Sequence, residues 1–237
     1  MTQTGTAPLR ILSIDIGGSG VKAIVIDQKG RPLTERTRLE TPRPATPAAI
    51  LRTIDRLAAA QRPFDRISLG FPGVIRKGVA YTAYNLHDRW VGFDIAAALR
   101  KRLHKPARVA NDADIQGMGA VRGRGVELVL TLGTGLGSAL FLEGRLVPNL
   151  EVAHHPFHKG LTYEEWLGKA GYDELGVKHW NRMLARAVAE LEHLFNYDWL
   201  YLGGGNAKKV SLQGLPPNVK VVPNVLGLLG GAALWRK

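Results

Sequence analysis

The stretch "ILSIDIGGSGVKAIVID", residues 11–27, decides the fold. A mostly apolar run carries one acid at Asp15, Gly17, Gly18 and Gly20 follow in quick succession, and a second apolar run begins with Lys22 near its start. Ile and Val suit a pleated surface, and glycine adopts positive φ without penalty, so the stretch reads as two strands joined by a glycine-rich turn. A plain hairpin needs neither the acid before the glycines nor the lysine after them. Those additions point to a turn that meets an anion.

Outward from this stretch, strands and helices alternate. Strands are expected over 9–16, 21–27 and 32–40, with "DQKGRP" turning between the last two. "TPAAILRTIDRLAAA", 46–60, has a Thr cap, a first-turn Pro and helical apolar spacing. "RISLGF" is a buried strand, "DIAAALRKRL" an Asp-capped helix, "ARVAN" a short strand and "DADIQGMGAVRG" a helix with two acids in its first turn. "VELVLTLGTGLGSALFLEG", 126–144, then repeats the opening pattern of strand, glycine turn and strand. A helix over 177–194, the strand "YDWLYL", the turn "GGGN" and a closing helix over 224–236 complete the chain. Two such openings imply two related lobes facing a cleft: 7–110, rejoined by 224–236, and 111–223.

The bulk properties narrow the chemistry. The 237 residues include no cysteine, which excludes disulfides and thiolate metal sites. The start lacks a charged segment followed by an apolar one, and no run approaches membrane-spanning length, so a cytoplasmic protein without a membrane partner is expected. The formal charge is +12, from 32 Lys and Arg against 20 Asp and Glu. Such a balance attracts polyanions. The basic residues are nevertheless scattered and not interleaved with aromatics, which speaks against nucleic acid as a partner.

"GTGLG" is followed by a strand where a dinucleotide fingerprint needs a helix, and neither glycine turn is a Walker A loop. Both turns can still aim backbone N–H groups and a hydroxyl, Ser19 or Thr134, at phosphate oxygens. "NDAD" puts Asn111, Asp112 and Asp114 at a strand-to-helix junction. One acid there can cap the helix; a carboxylate can also take a proton from an alcohol during phosphoryl transfer. "LEVAHHPFHKG" groups Glu151 with His154, His155 and His158, open to a surface loop, a metal site of unfamiliar spacing, or contacts to a polar ligand such as a sugar. Trp90 in "NLHDRWVG" reads as packed.

In this order "DIGGSGVK", "GFPGVI", "NLHDRWVGFD", "ANDAD", "LTLGTGLGSAL", "LEVAH" and "LYLGGGNAKK" resemble the ROK family of sugar kinases and repressors, and within it the polyphosphate glucokinases. The resemblance implies an α/β chain with the duplicated actin/hexokinase (ribonuclease H-like) fold. It implies a kinase that phosphorylates glucose or a related hexose from polyphosphate, ATP or both, with Mg²⁺, commonly as a homodimer. Asp112 would be the general base. Asn111, Glu151, His154, Asn85 and the Gly70, Phe71, Pro72, Gly73 turn would hold the sugar. Gly17, Gly18, Ser19, Gly20 and Lys22 would meet the donor phosphates from one lobe, and Thr131, Gly133, Thr134 and Gly135 from the other. Asp15 would help position Mg²⁺, and Gly203, Gly204 and Gly205 would lie against the adenosine of a nucleotide donor. Many relatives carry a Cys-rich zinc motif after the segment matched by "EVAH"; here the loop must be held without zinc. A further sugar-contacting Glu of the family has no clear counterpart here, with Glu164 and Glu165 as the candidates. Too few residues precede the first strand for a repressor's DNA-binding helices. A strictly ATP-dependent kinase and a non-catalytic sugar or polyphosphate sensor remain as alternatives.

Overall fold

A computed structural model describes residues 9–84 and 86–236. Strands β1 (Ile11–Ile16), β2 (Gly20–Ile26) and β3 (Thr37–Glu40) form an antiparallel meander. Helix α1 (Pro47–Ala60) leads to β4 (Arg66–Phe71), which pairs parallel with β1. Thr46 Oγ1 caps α1 by accepting the Ala49 N–H at 3.3 Å, and Ile50, Leu51, Ile54 and Leu57 are buried at helical spacing. A small hairpin follows, β5 (Ile75–Arg76) and β6 (Val79–Ala80). Helix α2 (Ile95–Leu103) is capped by Asp94 and leads to β7 (Ala107–Asn111), parallel to β4. The first sheet thus has the order β3-β2-β1-β4-β7. Trp90 is fully buried in its core.

Helix α3 (Asp112–Ala120) leaves β7 directly, and the second sheet begins after it. Strands β8 (Val126–Leu132), β9 (Leu136–Leu142) and β10 (Arg145–Val147) make another antiparallel meander. A second small hairpin, β11 (Pro156–His158) and β12 (Leu161–Thr162), precedes α4 (Tyr163–Leu167) and α5 (Lys169–Phe195), the latter broken at Gly176, whose φ is 68°. Strands β13 (Trp199–Gly203) and β14 (Val219–Val221) add in parallel to β8. The order β10-β9-β8-β13-β14 repeats that of the first sheet strand for strand and sense for sense. The repeated hairpin pattern in the sequence is therefore a duplication of the whole sheet. In both copies the first strand lies at the centre, covered on both faces, which is why it is mostly apolar, with Ser13, Asp15, Glu127 and Thr131 as the polar exceptions.

Two expectations change. The strand expected over 32–40 is formed only from Thr37. Thr34 Oγ1 takes the Val25 N–H at 2.9 Å, so a side chain replaces the backbone partner and the ladder is interrupted. The closing helix over 224–236 is one α-turn, α6 (Leu226–Leu229), followed by a 3₁₀ helix over Gly230–Trp235. This segment packs between β1, β4 and α3: Ser13 Oγ donates to Leu228 O at 2.6 Å and Ser68 Oγ to Gly231 O at 2.7 Å. A Cβ on Gly230 would stand 1.9 Å from Ile115 O. Backbone contact with α3 and the central strands sets the path of this segment, over its helical spacing.

Candidate active site

The duplicated sheets place their two glycine turns at the rim of one cleft of about 490 Å³. Each turn closes on itself, Gly17 N–H to Gly20 O and Gly133 N–H to Gly135 O, both at 3.0 Å. They nearly meet: a Cβ on Gly18 would lie 3.2 Å from Thr134 Oγ1. None of Gly17, Gly18, Gly20, Gly133 and Gly135 has a positive φ, so the conformational reason for glycine inferred from the sequence does not hold. In the first turn close approach replaces it, at Gly17, Gly18 and Gly20. At Gly20 a Cβ would stand 2.5 Å from Arg38 Nε, and that guanidinium braces the turn by donating to Ser19 O at 2.7 Å.

Asp15 and Lys22 face each other across β1 and β2 and form an ion pair of 2.7 Å that borders the cleft. Asp112 begins α3 on the cleft wall nearby. The helix cap is an amide, not an acid: Asn111 Oδ1 accepts from Ala113 and Asp114 N–H at 2.8 and 3.2 Å. Its Nδ2 donates to Gly73 O at 3.2 Å. With the capping role taken by Asn111, Asp112 accepts one backbone N–H, that of Ala113 at 2.9 Å, and otherwise borders the cleft. Desolvation, with the charge of Asp15 next in weight, pushes its carboxyl up to about 7. A carboxylate poised there is suited to general-base work near neutral pH.

Glu151 and His154 also line the cleft, Oε2 and Nε2 3.6 Å apart. Ser138 fastens their loop on either side of Glu151, donating to Leu150 O at 2.7 Å and accepting from Val152 N–H at 3.1 Å. Asn149 Oδ1 ties the same loop to the first half of the chain by accepting the Ile75 N–H at 3.1 Å. Burial, aided by Glu164, pushes Glu151 up to about 7. Of the two glutamates left open by the sequence, Glu164 borders the cleft and accepts the Leu136 N–H at 2.9 Å. Glu165 is spent outside it, closing a capping box with Thr162.

The GFPG turn divides. Pro72 and Gly73 line the cleft, whereas Gly70 and Phe71 belong to β4, and Phe71 packs on Trp90 with ring centroids 5.1 Å apart. Asn85 lies outside the described residues. Its neighbour Tyr84, which sequence reasoning missed, lines the cleft and rests its ring 3.9 Å from that of His154. His155 and His158 do not line the cleft. They belong to a loop held by the Phe157–Tyr163 stack at 4.5 Å, Trp166 Nε1 donating to His158 O at 2.9 Å, and Arg186 on His158 Nδ1. Among the described residues no group of three or more His, Cys, Asp or Glu could hold a metal ion, and no helix is long and apolar enough to cross a membrane.

At the far end Gly204 and Gly205 line the cleft, but Gly203 is a buried residue of β13 and does not. Asn206 braces the second turn, with its N–H on Leu132 O at 2.8 Å and Nδ2 on Gly133 O at 3.0 Å. Lys169, Lys208 and Lys209 also border this end. The sequence shows "NAKK" as basic but carries no sign that α5 brings Lys169 beside it.

A family model described as the ROK family matches residues 11–158. Polyphosphate glucokinase of Mycobacterium leprae (strain TN) is 30% identical over 243 residues, covering 96% of this chain and 75% of that protein. Polyphosphate glucokinase of Mycobacterium tuberculosis (strain CDC 1551 / Oshkosh) is 30% identical over 235 residues, covering 92% and 88%. The crystal structure of inorganic polyphosphate/ATP-glucomannokinase from Arthrobacter sp. strain KM superposes with a TM-score of 0.87 at 34% identity, covering 95% of this chain and 98% of that one. Two matched sheets, their glycine turns and the Asn111–Asp112 junction all fall within these similarities, and the chain belongs to the ROK family.

Proposed function

We propose that the protein is a hexose kinase that transfers the terminal phosphoryl group of inorganic polyphosphate, with ATP as a second donor, to the 6-hydroxyl of glucose or a related hexose. The observation that carries this reading is the place of Asp112, on a cleft bordered by the two glycine turns and by the Glu151–His154 pair. The relatives named for polyphosphate and glucose support it.

In this reading Glu151, His154 and Asn111 hold the sugar. Asp112 accepts the proton of the 6-hydroxyl as its oxygen forms a bond to the terminal phosphorus. The bond from that phosphorus to its bridging oxygen breaks, and the donor leaves one phosphate shorter. Backbone N–H groups of the two turns, Lys22 and the hydroxyls of Ser19, Thr131 and Thr134 steady the charge on the transferring group. Mg²⁺ typically keeps several waters and takes one or two carboxylates together with phosphate oxygens. Asp15, beside the first turn, fits that demand, and the ion would supply charge neutralisation on the donor phosphates. Closure of the cleft would exclude water, whose attack would waste the donor.

The test is a coupled assay for glucose 6-phosphate with polyphosphate and ATP in parallel. Product with polyphosphate is expected, and no product with either donor at saturation, across several hexoses, would refute the kinase. Tight sugar binding in that case would favour the sensor. Turnover with ATP alone would keep the kinase and refute the donor.

A further inference from the structure

Gln116 stands on α3 one helical turn beyond Asp112, on the same face and about 6 Å further along the axis. It lines the cleft although it is only 4% exposed, and among the described residues its Nε2 has no hydrogen-bond partner. Buried amide groups without a partner are uncommon, because leaving one so forfeits its hydrogen bonds to water. The surroundings make room for this side chain. A Cβ on Gly203 would lie 1.8 Å from Gln116 Nε2, and one on Gly227 would lie 3.7 Å from its Oε1. Glycine at position 203 therefore serves the amide that stands over it, which explains why Gly203 itself does not reach the cleft.

We infer that Gln116 is a donor-binding residue whose amide N–H meets a phosphate oxygen of the phosphoryl donor. Its neighbours are those of the donor end: Gly203 leads into Gly204 and Gly205, and Gly227 follows Asn224 on the cleft wall. Lys208 and Lys209, on the same turn-rich segment, are donors and cannot satisfy an amide N–H; an anion can. The two ends of an amide are nearly equal in size, so rotation about the last side-chain bond turns the NH₂ group to the cleft without repacking. The group sits one turn from Asp112 and stands against Gly203 and Gly227, which assigns it to the donor and not to the sugar.

This inference rests on the proposed use of the cleft by a phosphate donor, and the experiment separates the two. Calorimetry with inorganic tripolyphosphate, Mg²⁺ present, compares the wild-type protein with Gln116→Met, which keeps the unbranched shape, and Gln116→Glu, which adds a negative charge. Loss of a hydrogen bond to a charged group predicts binding weaker by about tenfold or more for Gln116→Met. The loss should be larger for Gln116→Glu, with glucose affinity unchanged in both variants; the melting temperature should be unchanged or raised for Gln116→Met and lowered for Gln116→Glu, which buries a carboxyl group without a partner. Equal tripolyphosphate affinity in the wild type and Gln116→Met, or a loss confined to glucose, would overturn the role of Gln116 while leaving the kinase intact. A wild-type protein that neither binds tripolyphosphate nor transfers from any donor would overturn both.

Discussion

The two glycine turns occupy matching places in the two sheets, yet they close differently, Gly17 N–H on Gly20 O and Gly133 N–H on Gly135 O, and they differ in what stands behind them. In the first, Asp15 on β1 lies opposite Lys22 on β2; at the matching register of the second, Thr131 on β8 lies opposite Gly137 on β9. The first sheet thus sets an ion pair beside Asp112, and the second sets a hydroxyl beside a missing side chain. A Cβ on Gly137 would stand 2.4 Å from Thr131 Oγ1 and 2.9 Å from Ala113 Cβ, so the second copy gives its space to α3. After duplication, one hairpin supplies charge and the other supplies the room in which the base-bearing helix sits.

The sharpest break removes what both hairpins surround. Asp112→Asn should lower kcat by ~10²–10⁴-fold, the scale of a lost general base, with glucose binding by calorimetry retained. Near-wild-type turnover would show that the base lies elsewhere.

Next comes the asymmetry between the hairpins. Lys22→Met leaves the Asp15 carboxylate without its cation next to Asp112, so it should raise the Asp112 carboxyl further above its value of about 7. The acidic limb of the kcat/KM profile should move up by roughly one pH unit. Thr131→Val deletes only a hydroxyl, and that limb should stay in place. Equal shifts in the two variants would erase the proposed division of labour.

Gly137→Ala probes the space in the second hairpin. It should cost about 1–3 kcal/mol in urea denaturation, the usual penalty for overpacking. The corresponding addition on the first hairpin is already present as the Lys22 side chain. A neutral Gly137→Ala would mean that α3 is free to shift away from β9.

The last contrast is the pH dependence of stability. Asp112, Asp114 and Glu151 all sit at about 7 in the folded chain, each chiefly through burial, against roughly 4 when unfolded. Between these values the folded protein holds protons that the unfolded chain has released. Stability contributed by the three groups is therefore present at low pH and is lost as pH rises through about 7. The melting temperature of the ligand-free protein should fall between pH 5 and 8 while activity rises over the same window. Asp114→Asn, which removes a buried carboxyl whose Oδ1 has no partner among the described residues, should flatten the melting trend, and an unchanged slope would remove Asp114 from this account.

The strands and helices nearest the cleft were legible because their signals are local. Alternating apolar runs, the Thr46 and Asp94 caps and the glycine turns act within a few residues of themselves. Asp112 was legible for the same reason, as an acid at the end of a buried strand. Gly70, Phe71 and Gly203 were read as cleft residues because they adjoin turns, yet strand pairing carries each of them into a sheet. Gln116 and Lys169 gave no signal, since each reaches the cleft from a helix whose own periodicity is satisfied without it, and Tyr84 gave none because it lies in a turn that only packing brings to the cleft.

What the sequence by itself determined is the duplicated strand-turn-strand pattern, the acid at the strand-to-helix junction and the loop with Glu151 and His154, all encoded by neighbours in the chain. What only the tertiary structure decided is which of these groups share one cleft, that Asn111 and not an acid caps α3, and that burial lifts three carboxyls together. Those are consequences of desolvation and long-range packing, and they depend on residues brought together from both sheets, far apart in the chain.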